Sequence, residues 1–469
     1  MDKINGFGAL GLDEALVRAV QAAGYEQPTA VQAQALPAAL QGRDLMVSSA
    51  TGSGKTAAYV LPALTMVLAD RAAAAAARQT AQAAAEPAPP PRNDVKGAFG
   101  RQDRRNDRRP GPRPQPTGPR VLVLAPTREL ALQVTKAFID HGRFVPGLRV
   151  ASIVGGVPYA AQLRALAGPL DVLVATPGRL MDHMASGRAV LARVGLLVLD
   201  EADRMLDMGF IDDIRHIAEA LPGERQTLMT SATFAGSVGT LAQTLLRSPQ
   251  RVEVASHTEA HADIEQRLHW ADDFAHKNAL LDHILTERSI EQAVVFTSTQ
   301  RDADWLADRL GEMGHSVAAL HGGMPQGRRN RVLQGLRERR LRVLVATDVA
   351  ARGIDVPTIS HVINFGLPMK EEDYVHRIGR TGRAGRAGLA VTLAERRDAG
   401  MVHRIQRFTT QRIPPATIAG LEPRRPDPPP ARPAGARPGG KPAWQARPAG
   451  RGFGPAKAAG GGSRFARKP

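Results

Sequence analysis

The sequence predicts an α/β protein built from two tandem, doubly wound parallel sheets, with a charged, proline-rich insert in the first domain and a tail of similar character after the second. Three observations lead there. Short apolar runs alternate with helix-length amphipathic segments, those runs fall into two sets parted by a stretch where the alternation lapses, and Pro, Gly and Arg concentrate in two places outside the pattern. A chain of 469 residues has room for about two or three domains.

In the first set the runs are DLMVSSA, VLVLAP, RVASIVGG, DVLVATP, GLLVLDEA and TLMTSAT; in the second they are QAVVFTST, SVAALHG, RVLVATD, HVINFGLP and LAVTLA. Strands covered on both faces of a parallel sheet read as unbroken apolar runs of this kind. The first domain is expected over 1–254, with its insert at about 70–120, a hinge at 255–266 (ASHTEAHADIEQ), the second domain over 267–420 and the tail over 421–469. The insert opens with RAAAAAARQTAQAAAE, which extends a helix, then becomes EPAPPPRNDVKGAFGRQDRRNDRRPGPRPQPTGP, too rich in proline and charge to pack. Insert and tail are both expected to be disordered.

Charge points to the partner. Lys and Arg number 62 against 45 Asp and Glu, a formal net charge of +17, which favours an anionic partner, nucleic acid or membrane surface. The insert carries about +6 of this and the tail about +9, so the folded remainder is nearly neutral. With no cysteine, disulfides and thiolate metal sites are excluded. The N-terminal MDKINGFGALGLDEAL lacks the apolar centre of a signal peptide, and no stretch approaches 18 uninterrupted apolar residues; a soluble, cytoplasmic, monomeric protein with no membrane partner is expected. His257, His261, His269, His276 and His283 gather near the hinge, where solvated or packing roles are expected rather than a metal site.

Two motifs carry chemistry. SATGSGKT (49–56) follows the first strand: Gly52 and Gly54 let backbone amides curl toward a triphosphate, Lys55 reaches its outer phosphates, and Thr56 offers a hydroxyl to Mg²⁺. Ser49, Ala50, Thr51 and Ser53 complete that loop. LLVLDEAD (196–203) runs from a buried strand into three carboxylates, which need a cation; Mg²⁺ suits one or two carboxylates plus substrate phosphates. Asp200 is placed to hold that Mg²⁺, and Glu201 to orient or deprotonate an attacking water.

With GYEQPTAVQ (24–32), PTREL (126–130), GG (155–156), TPGR (176–179), SAT (231–233), VVFTST (294–299), ATDVAARGID (346–355) and HRIGRTGR (376–383), the chain resembles the DEAD-box ATP-dependent RNA helicases, and looks nearest to their bacterial RhlE type. The resemblance covers about Phe7 to Leu393 except the insert. It implies two RecA-like domains that close on ATP and Mg²⁺, RNA-stimulated ATP hydrolysis, and local unwinding of short duplexes. An ATP-gated RNA clamp or assembly platform is the alternative.

It also implies residue roles. Gln32 can read adenine through an amide that donates and accepts, with Phe7 stacking on the ring and Tyr25 beside them, and Asp355 contacts the ribose. Arg380 and Arg383 resemble the family's arginine fingers, and Ser231, Thr233, Asp203 and His376 its link between hydrolysis and strand separation. Thr127, Arg128, Gly155, Gly156, Thr176 and Arg179 from the first domain, and Gln326, Arg329 and Thr347 from the second, would grip the RNA backbone without reading bases. Trp444, Phe453 and Phe465 lie in the tail as in RNA-binding tails, although biased composition alone reads the same way. The tail is expected to meet RNA, or proteins of ribosome assembly or RNA decay.

Overall fold

The structure is a computed structural model and describes residues 6–49, 53–84, 118–254, 263–351, 354, 356–382 and 386–426. Most of the expected insert (85–117) and the tail from 427 lie outside the described residues, as do Ala50, Thr51, Gly52, Asp355, Arg383, Trp444, Phe453, Phe465, His257 and His261.

Two wholly parallel sheets form. The first contains β1 (Leu45–Ser48), β2 (Val121–Leu124), β3 (Val150–Ile153), β4 (Val172–Ala175), β5 (Leu196–Leu199), β6 (Gln226–Ser231) and β7 (Gln250–Glu253), in the order β3-β4-β2-β5-β6-β1-β7. The second contains β8 (Ile264–Ala271), β9 (Ala293–Phe296), β10 (Val317–Leu320), β11 (Val343–Ala346), β12 (His361–Asn364) and β13 (Gly388–Glu395), in the order β10-β11-β9-β12-β13-β8.

Alternation along the strands makes each sheet two-sided. Val121, Val123, Leu196 and Val198 enter one core, Leu122, Leu124, Leu197 and Leu199 the other, and helices cover both. In the second sheet Val343 and Val345 face one core, Leu344 and Ala346 the other. All eleven expected strands form.

Two strands were not expected, and both lie at a sheet edge. β7 buries only Val252 among polar neighbours, and β8, IEQRLHWA, mixes buried and exposed positions. Its start, Ile264–Gln266, falls inside the expected hinge, which therefore runs at least three residues too far; 255–262 are not described. The expected tail boundary is early for a similar reason. Leu421 packs against a core of the second domain, its carbonyl meets His276 Nε2 at 3.0 Å, and the amide of Arg424 donates to Asp272 at 2.8 Å.

The Ala-rich run does extend a helix, Lys55–Ala84. By length and composition this helix could cross a membrane, yet its first turns are core of domain one, and Asp70 and Arg71 tie it to Arg120 and Asp171. It is an interior helix of the first domain prolonged outward.

Candidate functional site

Strand order sorts the motifs. At the carboxyl ends of β3, β4 and β2 lie GG, TPGR and PTREL; at those of β5, β6 and β1 lie DEAD, SAT and the phosphate loop. One edge of one sheet thus carries two adjacent sites, where ligands of open α/β sheets bind. In the second sheet, the helix after β10 carries Gln326 and Arg329, and Thr347 follows β11.

In the first site, Lys55 Nζ donates to the Ser49 carbonyl and the Ser49 and Ser53 hydroxyls lie 2.8 Å apart. Asp200 is 4% exposed; Tyr59 Oη donates to one of its oxygens at 2.8 Å and Thr230 Oγ1 to the other at 2.7 Å. Burial, then the neighbouring Glu201 charge, raises the Asp200 pKa above the usual carboxylate range, while Lys55 acts in the other direction. Tyr59 is pushed up by burial and by Asp200, and interacts with the Thr56 side chain. Thr56, Tyr59 and Asp200 are thereby one cluster joining phosphate loop to DEAD.

This donor set fits Mg²⁺. Two crowded carboxylates, one buried, have Lys55 beside Asp200 and Arg204 within reach of Glu201, and no group of three or more His, Asp or Glu among the described residues could hold a metal by itself. An ion sharing Asp200 with substrate phosphates meets both facts. Glu201 follows with a left-handed backbone (φ 51°, ψ 56°), its amide donating to Thr230 Oγ1 at 3.1 Å. SAT is tied to the same edge: Ser231 Oγ donates to the Thr233 carbonyl at 2.6 Å, and Ser48 Oγ to the Ala232 carbonyl at 3.1 Å.

The adenine readers are placed differently from expectation. Gln32 Oε1 accepts from the Thr29 amide at 3.0 Å, closing a capping box, and Nε2 donates to the Gly54 carbonyl at 3.1 Å. Gly54 has φ +91°, and a Cβ there would lie 2.5 Å from Gln32 Nε2. Gln32 therefore braces the phosphate loop, leaving one N–H and one lone pair for a base. Phe7 is 1% exposed within the first core, and Tyr25, 42% exposed, leans on the His141 ring. Gln32→Ala is accordingly expected to raise the KM for ATP several-fold as well as to erode discrimination against GTP. Nucleotide titrations of ATPase rate check this; an unchanged KM would show that the brace is dispensable.

The second site is cationic. Arg128 stands close enough to Arg179 and Arg329 for their charges to be felt, and burial followed by those charges lowers its pKa despite Glu129. Its Nε and Nη1 are buried without a partner. Gly156 (φ +71°) admits it: a Cβ there would lie 2.1 Å from Arg128 Nη1. Gly155 lies alongside; Thr127 caps the helix that begins with Arg128, its hydroxyl accepting from the Leu130 amide, and Thr176 precedes the helix that begins with Pro177. Three guanidiniums are drawn together here, with Glu129 and Asp182 as the carboxylates beside them, an arrangement that suits a phosphate.

Contacts between the lobes complete the cleft. Arg329 Nη2 pairs with Glu129 at 2.8 Å, and Gln326 reaches the same carboxylate at 3.5 Å. Arg204, directly after DEAD and 1% exposed, pairs with Asp373 of the second lobe and with Asp207 at 3.3 Å; Lys370 pairs with Asp207. Sequence reasoning missed Tyr59, Thr230, Arg204 and Asp373. Arg377, the first arginine of HRIGRTGR, is structural: bidentate on Asp348 and stacked over Phe296. Arg380, expected as a finger, is 6% exposed and donates to the carbonyls of His376 and Ile354, each at 3.0 Å. Asp203 Oδ1 and His376 Nδ1 are buried without hydrogen bonds.

Comparison with known proteins identifies each of the two lobes. A DEAD/DEAH box helicase model matches residues 29–241 and a helicase conserved C-terminal domain model residues 276–385. The chain is 39% identical over 422 residues to the ATP-dependent RNA helicase SrmB of Escherichia coli, covering 89% of this chain and 85% of that one. It is 37% identical over 416 residues to the ATP-dependent RNA helicase DeaD of Escherichia coli, covering 89% of this chain but only 59% of that relative. Among solved structures it is similar to S. cerevisiae Dbp5 bound to RNA and ADP BeF3, with a TM-score of 0.71, 29% identity and coverage of 87% and 96%.

Proposed function

The chain belongs to the DEAD-box ATP-dependent RNA helicases, and from that premise we propose that it separates short RNA duplexes locally, by closing its two lobes on ATP and on one RNA strand. The supporting observation is the group Arg128, Arg179 and Arg329: two arginines come from one lobe and one from the other, so a strand held by all three requires closure. Contacts of this kind address the backbone and leave base identity unread. Membership of the bacterial RhlE type is part of the same proposal.

In this reading the phosphate-loop amides and Lys55 hold the triphosphate, and Glu201 takes a proton from the attacking water. Arg380 and Arg383 meet the charge that develops on the transferred group. Thr56 and Asp200 would hold Mg²⁺, which when bound neutralises phosphate charge. Ser231 and Thr233 sit between β1 and β5 and relay nucleotide state across the sheet edge, together with Asp203 and His376. Displacing a few base-pair steps costs about 1.4 kcal/mol each, so local strand bending suffices.

Strand displacement on short duplexes, blunt and tailed, tests the reading. ATP-dependent release of both at similar rates is expected; RNA-stimulated hydrolysis without release would identify a clamp. The 43 residues from 427 to 469 hold nine Lys and Arg against one Asp, and we propose that they add diffuse phosphate contacts. Cutting after Pro426, not at the expected boundary of 421, spares Leu421 and Arg424. Each lost contact to a single strand should flatten the slope of log affinity against log salt by about 0.7, with turnover at saturating RNA unchanged. Equal slopes would assign the tail to protein partners.

A further inference from the structure

We infer that the outer face of the helix Gln326–Arg337 is a second RNA site, which receives the strand as it leaves the cleft. A cavity of about 300 Å³ opens between this helix, β10 and the turn before β11. Arg328, Arg331 and Arg340 form its rim and Ala318, Val332 and Leu341 its floor. Gly335 contributes no side chain, and a Cβ there would already touch Leu341 at 3.3 Å, so the helix and the turn meet closely beneath the opening.

The rim is cationic and largely uncompensated. Arg328 and Arg331 are exposed and have no carboxylate partner among the described residues, while Arg340 pairs with Glu338. Guanidiniums over an apolar floor suit an unpaired nucleotide, with phosphate on the rim and a base face on the floor. An acidic protein would satisfy the charges but not explain their position. Gln326 and Arg329, proposed above for the RNA track, lie with Arg328 on the first turn of this same helix, and Arg331 lies on the next. At about 3.6 residues per turn Arg328 and Arg331 stand on the opposite face from Gln326 and Arg329, so a strand leaving Arg329 reaches them by passing round this one helix.

The inference rests on that track only for the direction of approach, and the test separates the two. Affinity is measured, with a non-hydrolysable ATP analogue, for a short single strand that fills the cleft and for a longer one extending on both sides. The double variant Arg328→Gln, Arg331→Gln should bind the short strand as the parent does. It should bind the long strand about 25-fold more weakly at ~0.1 M salt, the effect of two phosphate contacts with slopes of about 0.7 each. A second variant, Ala318→Phe, fills the floor but keeps the rim; it should weaken the long strand without changing the salt slope. Matching thermal midpoints exclude misfolding. Equal losses on both strands, or no loss on the long one, would overturn the second site, whereas failure of Arg128→Ala to weaken the short strand would overturn the track instead.

Discussion

Glu201→Gln is expected to lower RNA-stimulated ATP turnover by about 10²- to 10⁴-fold, the range typical of losing a general base, while ATP and RNA still bind. Glutamine has the shape of glutamate, so the bond from its amide to Thr230 Oγ1 and the backbone conformation at 201 can persist. Asp200 keeps Tyr59 and Thr230 and loses one of the two influences that raise its pKa, so nucleotide binding should not suffer. Steady-state hydrolysis and equilibrium binding, measured on one preparation, check the split. Parent-like turnover would remove Glu201 from the chemistry; loss of binding together with turnover would show collapse of the loop.

The second large effect is expected at the lobe contact. Arg204 lies on Ala202–Asp207, the helix that starts from Glu201, and Asp373 on Glu371–Ile378, which ends just before Arg380. On the roles proposed for Glu201 and Arg380, the pair aligns the water-activating side of the cleft with the side carrying the finger. Removing one partner of a buried ion pair costs about 3–5 kcal/mol. Asp207 still reaches Arg204 at 3.3 Å, so about 1–3 kcal/mol is expected for Asp373→Asn, or roughly 5- to 150-fold in the closing equilibrium. The signature is conditional: RNA affinity should fall with an ATP analogue present and stay level without nucleotide. An equal fall in both conditions would mean that Asp373 acts within its own lobe. Exchanging the outer pair, Asp207→Lys with Lys370→Asp, should restore closing relative to either single change.

What could be read from sequence and what could not follows physical lines. Nine of the eleven expected strands lie inside their sheets, where burial on both faces writes an unbroken apolar run into the chain; the other two, β3 and β10, are edges that stay mostly apolar (VASI, VAAL). β7 and β8 are edges, where one neighbour and one wet side leave a mixed pattern, and the hinge and tail limits slipped there for that reason. The phosphate loop and DEAD were legible because their chemistry is local, several groups within eight residues serving one ligand. Arg204 with Asp373, or Asp200 with Tyr59 and Thr230, join residues far apart in the chain, and no local spacing announces them. Gln32 shows a third case: the residue was found, but its bond to Gly54 depends on how the helix start meets the loop. Arg377 reverses it, since a motif arginine that reads as functional spends its donors on Asp348, Asn364 and Gly366.

The left-handed backbone at Glu201 sets stability against activity. A residue with a side chain held in that region costs roughly 1–3 kcal/mol, and here it stands beside a buried carboxylate that Glu201 itself disfavours. Glycine at 201 would relieve both burdens while removing the proposed proton acceptor. Selection of variants for heat resistance alone would thus drift toward tougher, inactive proteins at this position, and thermostabilised forms of this chain should be sought in its edge strands and surface helices, with the turn after β5 held fixed.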